Sequence, residues 1–316
     1  MLDSLSSLFF RRLVDTLSLS GQKLSILIYH RVLAEPDPMR PWEIDAKQFR
    51  DHLKWISSVF TVIPLRTAVD QLNNGTLASR SLAITFDDGY SDNQSVALQL
   101  LNEQNFQATF FCTTAYIDGS AMWNDLVIEA VRLWPENQIS IPELEIESLS
   151  TRTMTDKAST VLIILDKLKY KDFDQRNDIA NMLASQVQGM PKQIMMSADQ
   201  IKALHSAGME IGGHTHSHPI LANLTEDKAT EQIITNKQIL EKIVGQPITL
   251  FAYPNGKPNK DYNASHVNMV REAGYKAAVS TTKGASSAKT DIYQLNRFTP
   301  WDKSRNRFLA RLLMNY

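Results

Sequence analysis

The chain has little of three features that mark common classes of protein: cysteine, long apolar runs and an excess of one sign of charge. Cys112 is the only cysteine, which excludes an intramolecular disulfide and favours a reducing compartment. The 33 basic and 34 acidic residues nearly balance, so the composition indicates no nucleic-acid partner. The expected partner is neutral or weakly charged, and the composition does not indicate an oligomeric state.

The N-terminal region, residues 1–23, is predicted to be a helix outside the main domain. It lacks the basic start, the continuous apolar stretch and the cleavage site of a signal peptide, and no apolar run in the chain reaches the roughly 20 residues that span a bilayer. A cytoplasmic location is expected, with a membrane-peripheral one as the alternative. Apolar residues of 1–18 recur at helical spacing and either pack on the domain or contact a membrane surface: Leu5, Leu8, Phe9, Leu13 and Leu17.

Short β-branched runs alternate with helical periodicity over residues 24–316, which predicts one α/β domain built from β/α units. The predicted strands are 25–29, 60–63, 82–86, 108–112, 209–213, 248–253 and 275–280. The main predicted helices are 45–58, 91–104, 197–207, 225–244, 262–272 and 308–314.

Residues 119–191 interrupt this alternation and are interpreted as a mainly helical insertion. The segment contains a predicted helix at 124–133, a hairpin at 139–146 and two helices between 156 and 188. Long segments of this kind are often functional. The insertion is therefore expected either to cover or lengthen a cleft, or to act as a structural cap.

Two adjacent aspartates, Asp87 and Asp88, directly follow an apolar predicted strand and precede Gly89. The carboxyl ends of parallel strands are where α/β proteins place their sites. Neighbouring carboxylates raise one another's pKa, and a bound cation would offset that cost. Because Asp-Gly is also common in turns, a surface turn is the alternative reading of this pair taken alone.

Three of the seven histidines fall within five residues, His214, His216 and His218, after another short predicted strand. Imidazole is the commonest ligand of first-row metals. An extended segment would put all three rings on one face, whereas one helical turn would bring only His214 and His218 together. One carboxylate and two imidazoles leave coordination positions open for water and substrate, so a catalytic metal site is predicted.

The TFDDG run at 85–89 and the HTHSH run at 214–218 together resemble the first two motifs of the polysaccharide deacetylases, the NodB-homology or carbohydrate esterase 4 family. The resemblance covers 24–118 and 192–300. It implies a distorted (β/α) barrel and an enzyme that removes N-acetyl groups from amino sugars of a polysaccharide or its lipid-linked precursor.

The same resemblance implies roles for the motif residues. Asp87 would be the general base, and His216 would point away from the metal. One divalent ion is expected, with zinc as the chemical default and Co, Ni or Mn as alternatives. Its ligands would be Asp88, His214 and His218.

Two departures from the family pattern lead to further candidates. The third motif, at 252–256, lacks the usual arginine, and Arg297 either replaces it or forms a surface ion pair. No histidine follows His266, so the usual general acid is missing. His30, after the first strand, resembles the Tyr-His motif of exopolysaccharide deacetylases and is predicted to be the acid, with a buried histidine hydrogen-bonded to backbone as the alternative.

Several residues are candidates for substrate contact. The backbone N–H of Tyr90 is predicted to stabilise an oxyanion. Trp123 and Trp301 are expected either to stack on sugar rings or to pack internally. The alternatives for the whole chain are hydrolysis of an O-acetyl ester, a formamide or a cyclic imide at the same metal, or a carbohydrate-binding protein with an inactive site. The predicted substrate-binding residues are Tyr90, Asn255, Arg297 and Trp301.

Overall fold

The computed structural model describes residues 2–18, 21–117, 119 and 121–316. Its strands are β1 (Lys23–Tyr29), β2 (Val32–Leu33), β3 (Ile44–Asp45), β4 (Thr61–Val62), β5 (Ser81–Phe86), β6 (Thr109–Cys112), β7 (Gln138–Ile141), β8 (Ile146–Ser150), β9 (Glu210–Gly213), β10 (Leu250–Ala252), β11 (Ala277–Val279) and β12 (Ser286–Ser287). Its α-helices are α1 (Leu2–Ser18), α2 (Ala46–Ser57), α3 (Leu65–Asn73), α4 (Leu98–Glu103), α5 (Trp123–Leu133), α6 (Met154–Leu168), α7 (Phe173–Ser185), α8 (Ala198–Ser206), α9 (Glu226–Val244), α10 (Ala264–Glu272) and α11 (Arg305–Met314).

The main sheet has the strand order β11-β10-β9-β6-β5-β1-β12, with β4 beside β5. The pairs from β1 to β11 are parallel, whereas β12 runs antiparallel to β1. Residues 292–298, the closing segment, join the two sides of the curled sheet. Leu295 pairs with Val279 of β11, and Phe298 pairs with Leu27 of β1. The predicted barrel-like α/β fold is confirmed.

Strand residues alternate between two apolar layers, as their period of two requires. In β5, Leu82, Ile84 and Phe86 pack in the cluster that includes the outer helices, and Ala83 packs in the inner cluster with α3. All six residues of β5 are buried. A strand that is covered on both faces has a continuous apolar run in its sequence. For this reason β5 could be predicted from the sequence.

The segment 119–191 contains the predicted helix α5, hairpin β7–β8 and helices α6 and α7. Helix α6 begins at Met154, two residues earlier than predicted, because Thr153 and Asp156 form a capping box there. The segment has an apolar cluster of its own, distinct from the clusters of the barrel. It therefore folds around its own small core beside the barrel.

Buried ion pairs connect this segment to the barrel. Nη2 of Arg40 lies 2.9 Å from Oδ1 of Asp125 and 3.0 Å from Oε1 of Glu129, both on α5. Nη1 of Arg31, two residues beyond β1, lies 3.8 Å from Oδ1 of the same Asp125. Because these carboxylates and guanidiniums are largely removed from water, breaking either pair would leave a costly unpaired charge.

Helix α1 packs on the barrel while leaving part of its apolar stripe exposed. Val14 is fully buried, and Nε of Arg11 donates to the carbonyl oxygen of Ser58 at 2.7 Å. Leu8 and Phe9 are 48% and 59% exposed, while the side chain of Leu5 lies outside the described residues. The contact of 1–18 with a membrane stays a prediction. Within the described ranges, no helix combines the length and the apolar character needed to cross a bilayer.

The predicted helix 91–104 begins differently from an ordinary α-helix. Residues Asn93–Ala97 form a π-helical turn before α4. Such turns are frequent at functional sites, and this one follows the two adjacent aspartates by five residues. The sequence pattern could not reveal it, since apolar spacing hardly distinguishes a single π turn from an α turn.

Candidate active site

Three of the predicted ligand side chains meet at the carboxyl ends of β5 and β9. Oδ1 of Asp88 lies 3.3 Å from Nε2 of His214 and 3.3 Å from Nε2 of His218. The ligand atoms all lie within 4.8 Å of one another. Oδ1 of Asp88 is buried and accepts no hydrogen bond within the described chain. This set of donors fits a divalent cation in an open, catalytic type of site.

The surroundings of the two imidazoles suit a metal ligand. Nδ1 of His214 lies 2.7 Å from the carbonyl oxygen of Ala252; because a carbonyl only accepts, Nδ1 carries a proton and Nε2 faces Asp88. Burial lowers the pKa of His218 to about 4, so this ring is neutral at pH 7. For His214, Asp87 and Asp88 outweigh the lowering effect of burial and raise the pKa. A proton and a cation therefore compete for Nε2 of His214.

A left-handed turn brings His214 and His218 together and directs His216 elsewhere. Thr215 and His218 have φ angles of +62° and +56°, and the N–H of His218 donates to Oγ1 of Thr215 at 3.2 Å. Nδ1 of His216 lies 2.9 Å from Oγ1 of Thr114, outside the ligand cluster. The sequence left two geometries open, an extended segment and a turn, and the structure contains the turn.

Asn236 of α9 holds this turn in place and is a residue that the sequence analysis missed. Its buried side chain accepts from the N–H of His214 at 3.1 Å and donates to the carbonyl oxygen of Thr215 at 2.7 Å. A signal existed, because Asn236 stands between Ile233 and Leu240 in the apolar stripe of α9. A polar residue at such a position needs buried partners.

Asp87 is held by the guanidinium of Arg297, which comes from the closing segment. Nη1 and Nη2 of Arg297 donate to the two carboxylate oxygens of Asp87, each at 2.7 Å. Burial would raise the pKa of Asp87, but Arg297 and then His214 outweigh it and hold the pKa below its usual value. Arg297 is only 1% exposed. The alternative of a surface ion pair at Arg297 is therefore wrong. Arg297 was also predicted to bind substrate, but its guanidinium instead contacts Asp87, the predicted base.

His30 follows β1 at the same edge of the barrel. Its carbonyl oxygen accepts a hydrogen bond from Nδ2 of Asn93 at 2.9 Å. Burial acts to raise the pKa of Asp87 and Asp88, and His30 is among the side chains that offset this. The residue is partly exposed, and its role as general acid stays a prediction.

Of the other residues predicted to contact substrate, Tyr90 and Asn255 lie at the site and Trp301 lies at the surface. The hydroxyl of Tyr90 donates to Asp125 at 3.1 Å, which leaves only its backbone N–H for the predicted oxyanion contact. Asn255 lines the cavity over the site. Trp301 is 55% exposed and stacks on the guanidinium of Arg311 at 4.5 Å; it is not among the residues that line the described cavity.

A cavity of about 390 Å³ lies over Asp88 and His218, between the barrel and the segment 119–191. Its size is within the range of small-molecule sites. Trp123 supplies an aromatic face, so the segment lines the cleft, the first of the two roles predicted for it. The lining residues are Asp88, Met122, Trp123, Asn124, Leu162, Leu165, Asp166, Lys169, Arg176, His218 and Asn255.

A parallel α/β barrel with these side chains at its strand ends defines a hydrolase of the deacetylase class. The family model described as polysaccharide deacetylase matches residues 74–144 and 155–278. The chain belongs to this family, and the predicted enzyme class, an N-deacetylase, is confirmed. The match runs through most of the segment predicted as an insertion and leaves out 145–154, where β8 lies.

Individual relatives are distant. A protein of Bacillus subtilis (strain 168), described as putative polysaccharide deacetylase YxkH, is 21% identical over 277 residues, covering 87% of this chain and 70% of that protein. The peptidoglycan-N-acetylmuramic acid deacetylase PdaC of the same organism is 27% identical over 184 residues, covering 55% of this chain and 34% of its own length.

Solved structures show the same fold. The Streptococcus pyogenes deacetylase PplD in complex with acetate has a TM-score of 0.62 at 19% identity. IcaB from Ammonifex degensii has a TM-score of 0.61 at 17% identity. In both cases the similarity covers 93% of this chain and 98% of the other, so it extends over the barrel and the segment beside it.

Proposed function

We propose that this protein is a metal-dependent hydrolase that removes N-acetyl groups from amino sugars of a polysaccharide or its lipid-linked precursor. The observation that carries the proposal is a second carboxylate, Asp87, beside the cluster of Asp88, His214 and His218. Oδ2 of Asp87 lies 3.9 Å from Nε2 of His214, and both its oxygens are bonded to Arg297. A carboxylate next to a metal site, but outside its ligand set, suits a general base for hydrolysis.

Asp88, His214 and His218 would hold one divalent cation. Zinc is the default for one carboxylate and two imidazoles, and Co, Ni and Mn suit the same donors. When bound, the cation polarises the acetamide carbonyl and lowers the pKa of water.

The other residues would move protons and stabilise charge. Asp87 accepts the proton of the attacking water, while Arg297 keeps the carboxylate ionised and oriented. The backbone N–H of Tyr90 donates to the oxygen of the acetamide as negative charge develops there. His30 donates a proton to the nitrogen as the C–N bond breaks, so that the products are acetate and the free amino sugar.

Removal of the metal with a chelator is expected to abolish acetate release from N-acetylated chito-oligosaccharides, and addition of zinc is expected to restore it. Acetate is measured beside an O-acetyl ester substrate. Undiminished release from protein that elemental analysis shows to be free of metal would contradict the proposal. Release from the ester alone would favour an esterase, and release from neither with metal bound would favour an inactive binding protein.

The His30→Ala variant is expected to lower kcat by about 10²- to 10⁴-fold, the usual contribution of a general acid. The loss is expected to be smaller for an N-acetylated anilide, because its less basic nitrogen needs less protonation. His205→Ala, at another half-buried histidine, is the matched control and should keep the wild-type rate. Equal losses for the sugar and the anilide would argue against a proton donor.

A further inference from the structure

One buried arginine in the segment over the site forms no ion pair within the described residues, although Asp172 interacts with it electrostatically. Arg176 of α7 is 5% exposed, and its Nε has no hydrogen-bond partner in the described part of the chain. The two other buried arginines there, Arg40 and Arg297, lie 2.9 Å and 2.7 Å from aspartate oxygens. Withdrawing a guanidinium from water without a directly bonded carboxylate costs free energy, so the burial of this cation requires an explanation.

The position of Arg176 connects it with the proposed active site. It lines the same cavity as Asp88 and His218. Its guanidinium stacks over the rings of Trp123 and Phe173, at 4.8 Å and 5.4 Å from their centroids. Two aromatic faces hold the charged group in place but leave its Nε–H without an acceptor among the described residues.

The rest of the cavity wall suits a sugar that carries a negative charge. Lys169 adds a second cation to the lining of the cavity. The lining also includes two acidic residues, Asp88 and Asp166. Asp166 is exposed to solvent, whereas Arg176 is buried, so the arginine is the less screened charge. A planar guanidinium fork matches a carboxylate or a phosphate with two parallel hydrogen bonds.

We infer that Arg176 is a specificity residue that binds an anionic substituent, a carboxylate or a phosphate, on the N-acetylated sugar whose acetamido group lies at Asp87 and Asp88. This inference rests on the proposed function and narrows its substrate to anionic amino sugars. The competing role is structural, with Arg176 serving only to pack between Trp123 and Phe173.

The wild-type enzyme tests this inference with two matched substrate pairs. The first pair is a tetrasaccharide that contains N-acetylmuramic acid and its methyl ester; the second is N-acetylchitotetraose with and without a 6-phosphate. The anionic member of at least one pair is expected to have a kcat/KM about 10- to 100-fold higher, in keeping with a charge-assisted bidentate contact. The pair that shows the preference identifies the anion. No preference in either pair would overturn the inference.

Substitution of Arg176 separates recognition from packing. Arg176→Gln is expected to raise KM for the preferred anionic substrate about 10-fold or more beyond any change for the neutral member of the pair, with the effect on KM rather than kcat, because the contact is equal in ground and transition states. Arg176→Lys should retain part of the preference, and Lys202→Gln, an exposed charge on α8, should retain all of it. Equal losses on charged and neutral sugars would assign Arg176 to packing.

A binding measurement keeps this inference distinct from the proposed function. Failure of every sugar to release acetate would count against the proposed function alone. Calorimetric binding of the same four sugars to the Asp87→Asn variant tests Arg176 without turnover. Tighter binding of an anionic sugar supports the inference, and equal binding of both members of each pair contradicts it.

Discussion

The Asp87→Asn variant is expected to release acetate at least about 10³-fold more slowly than the wild type, within the range for loss of a general base. The amide has nearly the shape of the carboxylate but cannot take a proton from water. The ligand set of Asp88, His214 and His218 is unchanged, so metal content should stay at the wild-type level. The rate on N-acetylated oligosaccharides and the bound metal are measured on the same sample.

Asp199→Asn, which changes an exposed aspartate on α8, is the control for the loss of one negative charge. It should behave as the wild type does. An Asp87→Asn enzyme with full metal content and an undiminished rate would remove Asp87 from the role of base. Loss of both metal and rate would instead make Asp87 a ligand.

The Arg297→Met variant is expected to lose both stability and activity. Removal of the guanidinium leaves the carboxylate of Asp87, 3% exposed, without its bidentate partner. Breaking a buried pair in this way typically costs about 3–5 kcal/mol of the free energy of unfolding. A base that is no longer held in position is expected to cost a further rate loss on the order of 10²-fold. Urea unfolding of the metal-free protein and kcat/KM of the zinc-loaded enzyme measure the two effects.

The double variant Asp87→Asn with Arg297→Met gives the matched comparison. Neither charge is then buried alone, so the double variant should be more stable than Arg297→Met by itself. If the two substitutions destabilised the protein additively, Arg297 would not act through Asp87.

The cluster of Asp88, His214 and His218 was predictable because each half of it is local in sequence. Asp88 follows a strand with an unmistakable apolar pattern, and His214 and His218 lie in one short run after another strand. The ends of parallel strands meet at one edge, so two local signals are sufficient to place the cluster. The choice between His216 and His218 was decided by the left-handed turn at Thr215, which spacing alone left open.

The residues that support the site were harder to predict. Arg297 reaches Asp87 only because the closing segment pairs with both β1 and β11, and no period in the sequence signals that closure. Arg176 carries no motif, and its missing partner becomes visible only when its neighbours are known. Trp301 lies against Arg311 at the surface, and its contact with a substrate stays a prediction.

The ion pairs between α5 and Arg40 hold in place one wall of the cavity over Asp88 and His218. Swinging the wall that carries Trp123 outward would separate Arg40 from Asp125 and Glu129. At about 3 kcal/mol or more for such a separation, fewer than about one molecule in a hundred would be open at equilibrium. The cavity over Asp88 and His218 is therefore already shaped before a ligand enters, so the fit of the ligand is tested at entry.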